Sequence, residues 1–170
     1  MGKEIKGKHI EKLKALLENM GLTLNEEKTK VVKATEEGFD FVGFSFRYDK
    51  SLYDSEKKYW NIAPSKKTEN KVREILREYF KKSGHFNPWD ISEDLNKKIR
   101  GWVNNYSIEK VSYPSKFKRN IRYYLSEKLN RYYRRKSQRS CKLYNKGAYE
   151  ILKKRYGLIE ITDYRKRVEA

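Results

Sequence analysis

Apolar and polar positions alternate with two different periods along this chain, and the change of period divides it. From Lys3 to Met20, Ile10, Leu13, Leu16, Leu17 and Met20 recur at helical offsets among Lys and Glu, and Gly21 stands where such a helix would stop. This predicts an amphipathic helix with one face to bury. Leu22-Thr23-Leu24 then reads as a short extended segment, Asn25 to Lys28 as a turn, and Thr29 to Val32 as a strand. Phe39 to Tyr48 is aromatic on both faces of a predicted strand, and Gly43 in its middle marks a bulge or a close backbone approach. Lys58 to Ile62 can return as its hairpin partner.

After Pro64-Ser65 the period becomes helical. Ser65 is a good N-cap, and Val72, Ile75, Leu76, Tyr79 and Phe80 form a buried stripe with Lys66 and Lys67 off it. Asp90 with Glu93 resembles a capping pair for a central helix. In that helix Leu95, Ile99, Trp102, Val103 and Tyr106 share one face, while Arg100, Asn104 and Asn105 point elsewhere. Gly101 costs this helix about 1 kcal/mol relative to Ala, which a close approach by another backbone would explain. A third long helix begins after Pro114, with Phe117, Ile121, Tyr124, Leu125, Leu129 and Tyr132 as its inward set. Its other faces carry Lys118, Arg119, Arg122, Lys128, Arg131, Arg134 and Arg135, and Glu127 is the only acid between Lys116 and Lys142. A shorter amphipathic stretch runs from Ala148 to Tyr156.

The fold class that follows is α+β: an N-terminal helix and a small antiparallel sheet over residues 1–63, then a mainly helical bundle of three long helices over residues 64–170. Leu95, Ile99, Trp102, Tyr106, Ile121, Leu125 and Tyr132 are its predicted core. The chain has 170 residues and a formal charge of +18, a field whose most economical partner is a polyphosphate. No apolar run approaches the length of a membrane span, and the N-terminus has no apolar signal core, so no membrane partner is expected. One cysteine, Cys141, allows no internal disulfide and fits a reducing, cytoplasmic setting. With only His9 and His85 beside it, a tetrahedral zinc site is not expected.

Three stretches, in order, resemble group II intron reverse transcriptases, the maturases. Leu22 to Lys30 is similar to the family's end-of-palm segment. Phe39-Asp40-Phe41-Val42-Gly43-Phe44 is similar to its primer-grip strand, and Leu95 to Tyr106, with Arg100-Gly101-Trp102, to the signature of its maturase-specific thumb. Ser107 and Asn105 depart from the Tyr residues often found there. The resemblance implies a palm edge and primer grip followed by a thumb, binding group II intron RNA and an RNA/DNA template-primer duplex. Family polymerases clamp two Mg²⁺ ions with palm aspartates, two of them adjacent in a YxDD turn. This sequence has no adjacent Asp pair. No catalytic residue, metal site or cofactor is therefore assigned to the chain. Mg²⁺ would belong to the missing palm, which a separate palm and fingers polypeptide could supply, and the chain alone is expected to be inactive.

A run of charge is usually a solvated helix face, but the scarcity of acids in the third helix favours contact with nucleic acid. The nucleic-acid set is Lys28, Lys30, Phe41, Gly43, Lys66, Lys67, Arg100, Asn104, Asn105, Lys118, Arg119, Arg122, Arg131, Arg134 and Arg135. Tyr123, Tyr132 and Tyr133 are candidates to stack on bases, though helical spacing requires some of them in the core, Tyr132 first. Gly43 would let a primer backbone come close. Two other readings stay open: a helical DNA-binding module, which has little need of a Phe-rich hairpin, and the non-catalytic half of a split reverse transcriptase.

Overall fold

The computed structural model describes residues 7–25, 27, 29–51, 54, 56–84, 86–136, 143 and 147–165. Lys28, His85 and Cys141 lie outside them. The elements run α1 (Gly7–Asn19), β1 (Phe39–Phe41), β2 (Phe44–Lys50), β3 (Lys58–Pro64), α2 (Lys66–Lys82), α3 (Pro88–Tyr106), α4 (Ser115–Lys136) and α5 (Ala148–Tyr156). The architecture is α+β, with one three-stranded antiparallel sheet in the order β1-β2-β3.

Helix α1 ends as its sequence predicts. Gly21 takes φ 71°, its N–H reaches the Glu18 carbonyl at 2.9 Å and that of Leu22 reaches Leu17 at 2.8 Å, a Schellman closure. The face it was expected to bury is open, however: no α1 residue is buried, and Leu16 and Met20 are 58% and 65% exposed. The segment after it is also not what periodicity suggested. Residues 22–25 and 29–33 are irregular rather than strand, because no neighbouring strand offers them a ladder.

The predicted strand from Phe39 to Tyr48 is broken in two. Phe41 pairs with Phe44, so Val42 and Gly43 form a two-residue turn and the aromatic run folds back on itself. Both turn residues have positive φ, 46° and 81°, as a type I′ hairpin requires. In one long strand the spacing of three from Phe41 to Phe44 would put Phe39 and Phe41 on one face and Phe44 and Phe46 on the other, whereas the turn makes Phe39 the partner of Phe46 and Phe41 that of Phe44. Phe39 stacks on Phe46 at 5.0 Å, and β3 then pairs with β2 from Lys58 to Pro64.

Ser65 caps α2 through its side chain, which accepts from the Thr68 N–H. At α3 the cap is Asn87 with Asp90 in a reciprocal capping box, one turn earlier than the Asp90–Glu93 pair suggested, and Pro88 fills the first helical position. Glu93 instead pairs with Lys97 at 2.8 Å. The core is shared by Val72 and Leu76 of α2, Ile91, Leu95, Ile99 and Val103 of α3, and Phe117, Ile121, Leu125, Leu129 and Tyr133 of α4, with α5 closing it through Ala148, Tyr149 and Leu152. The α4 residues step strictly by four, so their line drifts around the helix and reaches Tyr133 rather than Tyr132. Tyr133 is 3% exposed; Tyr132, Trp102 and Tyr106 are half-buried at the edge of the core.

The hairpin is docked on this bundle. Gly43 C=O accepts from the Ser65 N–H and the Thr68 hydroxyl, both at 2.8 Å, and Phe44 meets Tyr106 edge-on at 5.3 Å. On the other side the α3–α4 connection adds one parallel bridge, Ile62 to Ser112, and Tyr113 N–H donates to the Ile62 carbonyl at 2.7 Å.

Candidate nucleic-acid interface

Helix α4 has one face in the core, and the residues opposite it form the candidate surface. Lys116, Arg119, Tyr123, Arg131, Arg134 and Arg135 are all exposed. Their spacing of three and four keeps them within one side of the helix. Tyr123, at 70% exposure, is the aromatic that this face holds out to solvent. Glu127 tempers it through Arg131, at 3.6 Å.

Two cations expected on that surface are turned inward. Lys118 is 9% exposed and donates to the Tyr164 carbonyl at 2.8 Å, and burial, with Arg165 nearby, pushes its pKa down. It sits one helical step from Phe117 and Ile121, where the segment after α5 covers it. Arg122 lies over the Tyr149 ring, 4.8 Å from its centroid, and donates to Glu150 at 2.7 Å and Glu160 at 3.4 Å. Glu160 also accepts from Lys153 at 2.9 Å, Tyr149 at 3.3 Å and Thr162 at 3.2 Å. Burial works against its charge, yet Lys153 and Arg122 prevail and hold the carboxyl below its ordinary range. Lys118 and Arg122 are thus fastenings of the fold. The acids that engage Arg122 arrive from some 28 to 38 residues away, so reading α4 alone could not find them.

A second internal network joins α2 to α4. Glu69, 6% exposed, accepts from Asn120 at 2.9 Å, Lys66 at 3.1 Å and Arg73 at 2.5 Å. Burial raises its pKa, but these three partners outweigh it and the net shift is downward. Lys66 nevertheless keeps 70% of its side chain exposed, and Lys67 is exposed beside it.

On α3, Arg100 and Asn105 are exposed, while the Asn104 side-chain oxygen is buried with no hydrogen-bond partner among the described residues. Gly101 has open space where a Cβ would stand, so no neighbouring backbone accounts for it. Gly43 is the reverse case. A Cβ there would stand 3.0 Å from the Thr68 hydroxyl oxygen and 3.3 Å from that of Tyr106, so on that side the close approach is the protein's own packing. Beside it Phe41 and Val42 are 64% and 75% exposed at the hairpin tip. Lys30 is exposed but paired with Glu37 at 2.6 Å.

The face of α4, the α2 lysines and the α3 Arg100 and Asn105 are therefore the exposed members of the predicted set, with Phe41 apart on the hairpin. Sequence reasoning missed Asn96, which clamps the chain after α5 by donating to the Gly157 carbonyl at 2.9 Å and accepting from Ile159 N–H at 2.8 Å. Its position off the apolar stripe of α3 was the available signal. Among the described residues no group of three His, Cys, Asp or Glu could hold a metal ion, and no helix is long and apolar enough to cross a membrane.

The class these features define is a strongly basic α+β protein, with a helical bundle that presents a cationic helix face and an aromatic hairpin seated on it. Within that class, residues 66–149 match the group II intron, maturase-specific domain, a match that opens at the first residue of α2 and ends in α5. The chain belongs to the family defined by that domain. No curated protein matches it with significance.

Proposed function

We propose that this chain is the RNA-binding thumb and maturase portion of a group II intron-encoded RNA-directed DNA polymerase. It grips structured intron RNA to assist splicing and holds template and primer when joined to a palm. The observation that carries the reading is the exposed Arg119-Tyr123-Arg131-Arg134-Arg135 face of α4 within a maturase-specific domain of a chain with net charge +18. Arginines neutralise phosphates and an exposed tyrosine supplies a stacking surface, the combination that single-stranded RNA uses. Mg²⁺ and the polymerising aspartates belong, on this reading, to the palm.

The experiment is a KCl titration of affinity for group II intron RNA beside a short DNA duplex. Steep loss of affinity with salt and preference for the intron RNA support the proposal. A flat dependence, or tighter binding to one short duplex sequence, refutes it and favours the DNA-binding alternative. The open apolar face of α1, where Leu13, Leu16 and Met20 stay exposed, suits a palm packing against it, and the split-polymerase form of the reading places that palm on a separate palm and fingers polypeptide. Restoration of RNA-templated DNA synthesis on mixing with a YxDD-bearing palm would establish that form; no stimulation on mixing would dismiss it.

A further inference from the structure

We propose that the cleft between α4 and the turn after α5 is a single-nucleotide site for an unpaired guanosine of an RNA strand. In it the base lies on Tyr123, its phosphate meets Arg119 and its Watson–Crick edge meets Asp163. The inference rests on the proposal that α4 faces RNA, and it names what one part of that surface reads.

The cleft measures about 400 Å³ and is lined by Arg119, Arg122, Tyr123, Glu160, Thr162 and Asp163. Its size lies within the ordinary range of small-molecule clefts. Each lining residue has a different freedom to act. Arg122 is engaged by Glu150 and Glu160, and Glu160 by four donors, so these two form the floor. Arg119 is exposed and makes no ion pair among the described residues. Tyr123 follows it by one helical turn, which sets a cation and an aromatic face side by side. An aromatic ring exposed to 70% on a helix whose other tyrosines pack against the protein is a stacking surface without an occupant.

Asp163 supplies the selectivity. Its Oδ1 accepts from the Thr162 hydroxyl at 3.1 Å, and it is otherwise exposed, with no ion pair among the described residues. Asp163 acts electrostatically on the buried Lys118, and its exposed oxygens, which would repel a phosphate, suit hydrogen-bond donors of a base instead. A carboxylate only accepts, through two oxygens. Guanine alone among the four bases presents two adjacent N–H donors, N1–H and N2–H, on its pairing edge. Adenine and cytosine set one amino group beside an acceptor nitrogen, and uracil sets one N–H between two carbonyls.

The test measures the affinity of the intact chain for a short oligouridine and for the same strand with one guanosine, adenosine or cytidine at its centre. The guanosine strand should bind about tenfold tighter than the others, the scale of one bidentate base contact. Tyr123→Leu should weaken it about tenfold and Tyr123→Trp preserve it. Asp163→Asn should erase the preference for guanosine while strengthening binding of the plain uridine strand, a reversal that loss of structure would not produce; thermal melting of each variant checks folding. Equal affinity for the four strands, or a guanosine preference that survives Asp163→Asn, overturns the inference. If intron RNA binds with steep salt dependence but the four short strands are not distinguished, the site is wrong and the RNA-binding reading stands. A flat salt dependence with intron RNA takes both away.

Discussion

Removing Arg131, Arg134 and Arg135 together, each replaced by Ala, separates the outward role of α4 from its structural one. All three are exposed, and the ion pair of Arg131 with Glu127 spans 3.6 Å between side chains 66% and 44% exposed. Pairs of that kind contribute little, so folding stability should stay within about 1 kcal/mol of the parent. Affinity should change far more. Each phosphate contact on a single strand contributes about 0.7 to the slope of log K against log salt, so losing three lowers the slope by about 2. Over a roughly fourfold rise in KCl the parent would then lose about fifteenfold more affinity than the variant does. Arg122→Ala is the internal control. It strips Glu150 and Glu160 of a partner, Glu160 being 15% exposed, and should cost about 2 kcal/mol with the salt slope little changed. Fluorescence anisotropy with labelled intron RNA gives the slopes, and denaturant unfolding gives the stabilities. An unchanged slope in the triple variant, or a larger stability loss there than in Arg122→Ala, refutes the division of α4 into two faces.

Three further outcomes test the fold itself. Val42→Asn should raise stability by about 1 kcal/mol in denaturant unfolding, because a β-branched residue at φ 46° in a two-residue turn is strained where Asn is not; a loss would mean that the exposed valine packs against something. Leu125→Ala, at the fully buried middle of α4, should cost about 3 kcal/mol and lower the melting temperature, whereas a cost under about 1 kcal/mol would contradict its place in the core. Glu69 and Glu160 have folded pKa values below their ordinary 4.5, so their contribution is complete above that pH and is lost as pH falls through the lowered folded values. Melting temperature should therefore fall on acidification below about pH 4.5, and Glu69→Gln with Glu160→Gln should flatten that fall; an equally steep acid limb in the double variant would show that other carboxylates govern it.

The elements legible in the sequence were those that a local signal specifies. The Ser65 cap, the Gly21 stop and the apolar stripes of α2 to α4 each lie within one or two turns of the residues they govern. What was not legible depended on distant partners. Val42-Gly43 looked like the middle of a strand because aromatic residues flank it on both sides, and β1 became separate only through pairing of Phe41 with Phe44. Gly43 did mark a close approach, but the approaching atoms come from Thr68 and Tyr106. The α1 stripe predicted burial, and nothing in the described residues buries it fully. Of the candidate cations, Arg100, Arg119, Arg131, Arg134 and Arg135 stand outside as a solvated helix face would, while Lys118 and Arg122 do not.

The difference between Arg119 and Arg122 shows how narrow that distinction is. Three helical residues turn the side chain by about 60° back toward the core line, and that rotation carries Arg122 from open solvent to the seam where α5 and the segment after it arrive. There the ring of Tyr149 and two carboxylates fix it, and the same acids take up Lys153. Glu150 and Glu160 are thus engaged against inward cations. Glu69 of α2 is drawn the same way, holding Lys66 and Arg73. The exposed positive charge of α4 is concentrated where the angle from the core is largest. A count of basic residues along α4 therefore overstates its ligand surface. Angular distance from the Phe117-Ile121-Leu125-Leu129-Tyr133 line gives the better measure, and by it Arg119 and Tyr123, each midway between successive core residues, stand opposite the core, with the exposed carboxylate of the cleft, Asp163, close by.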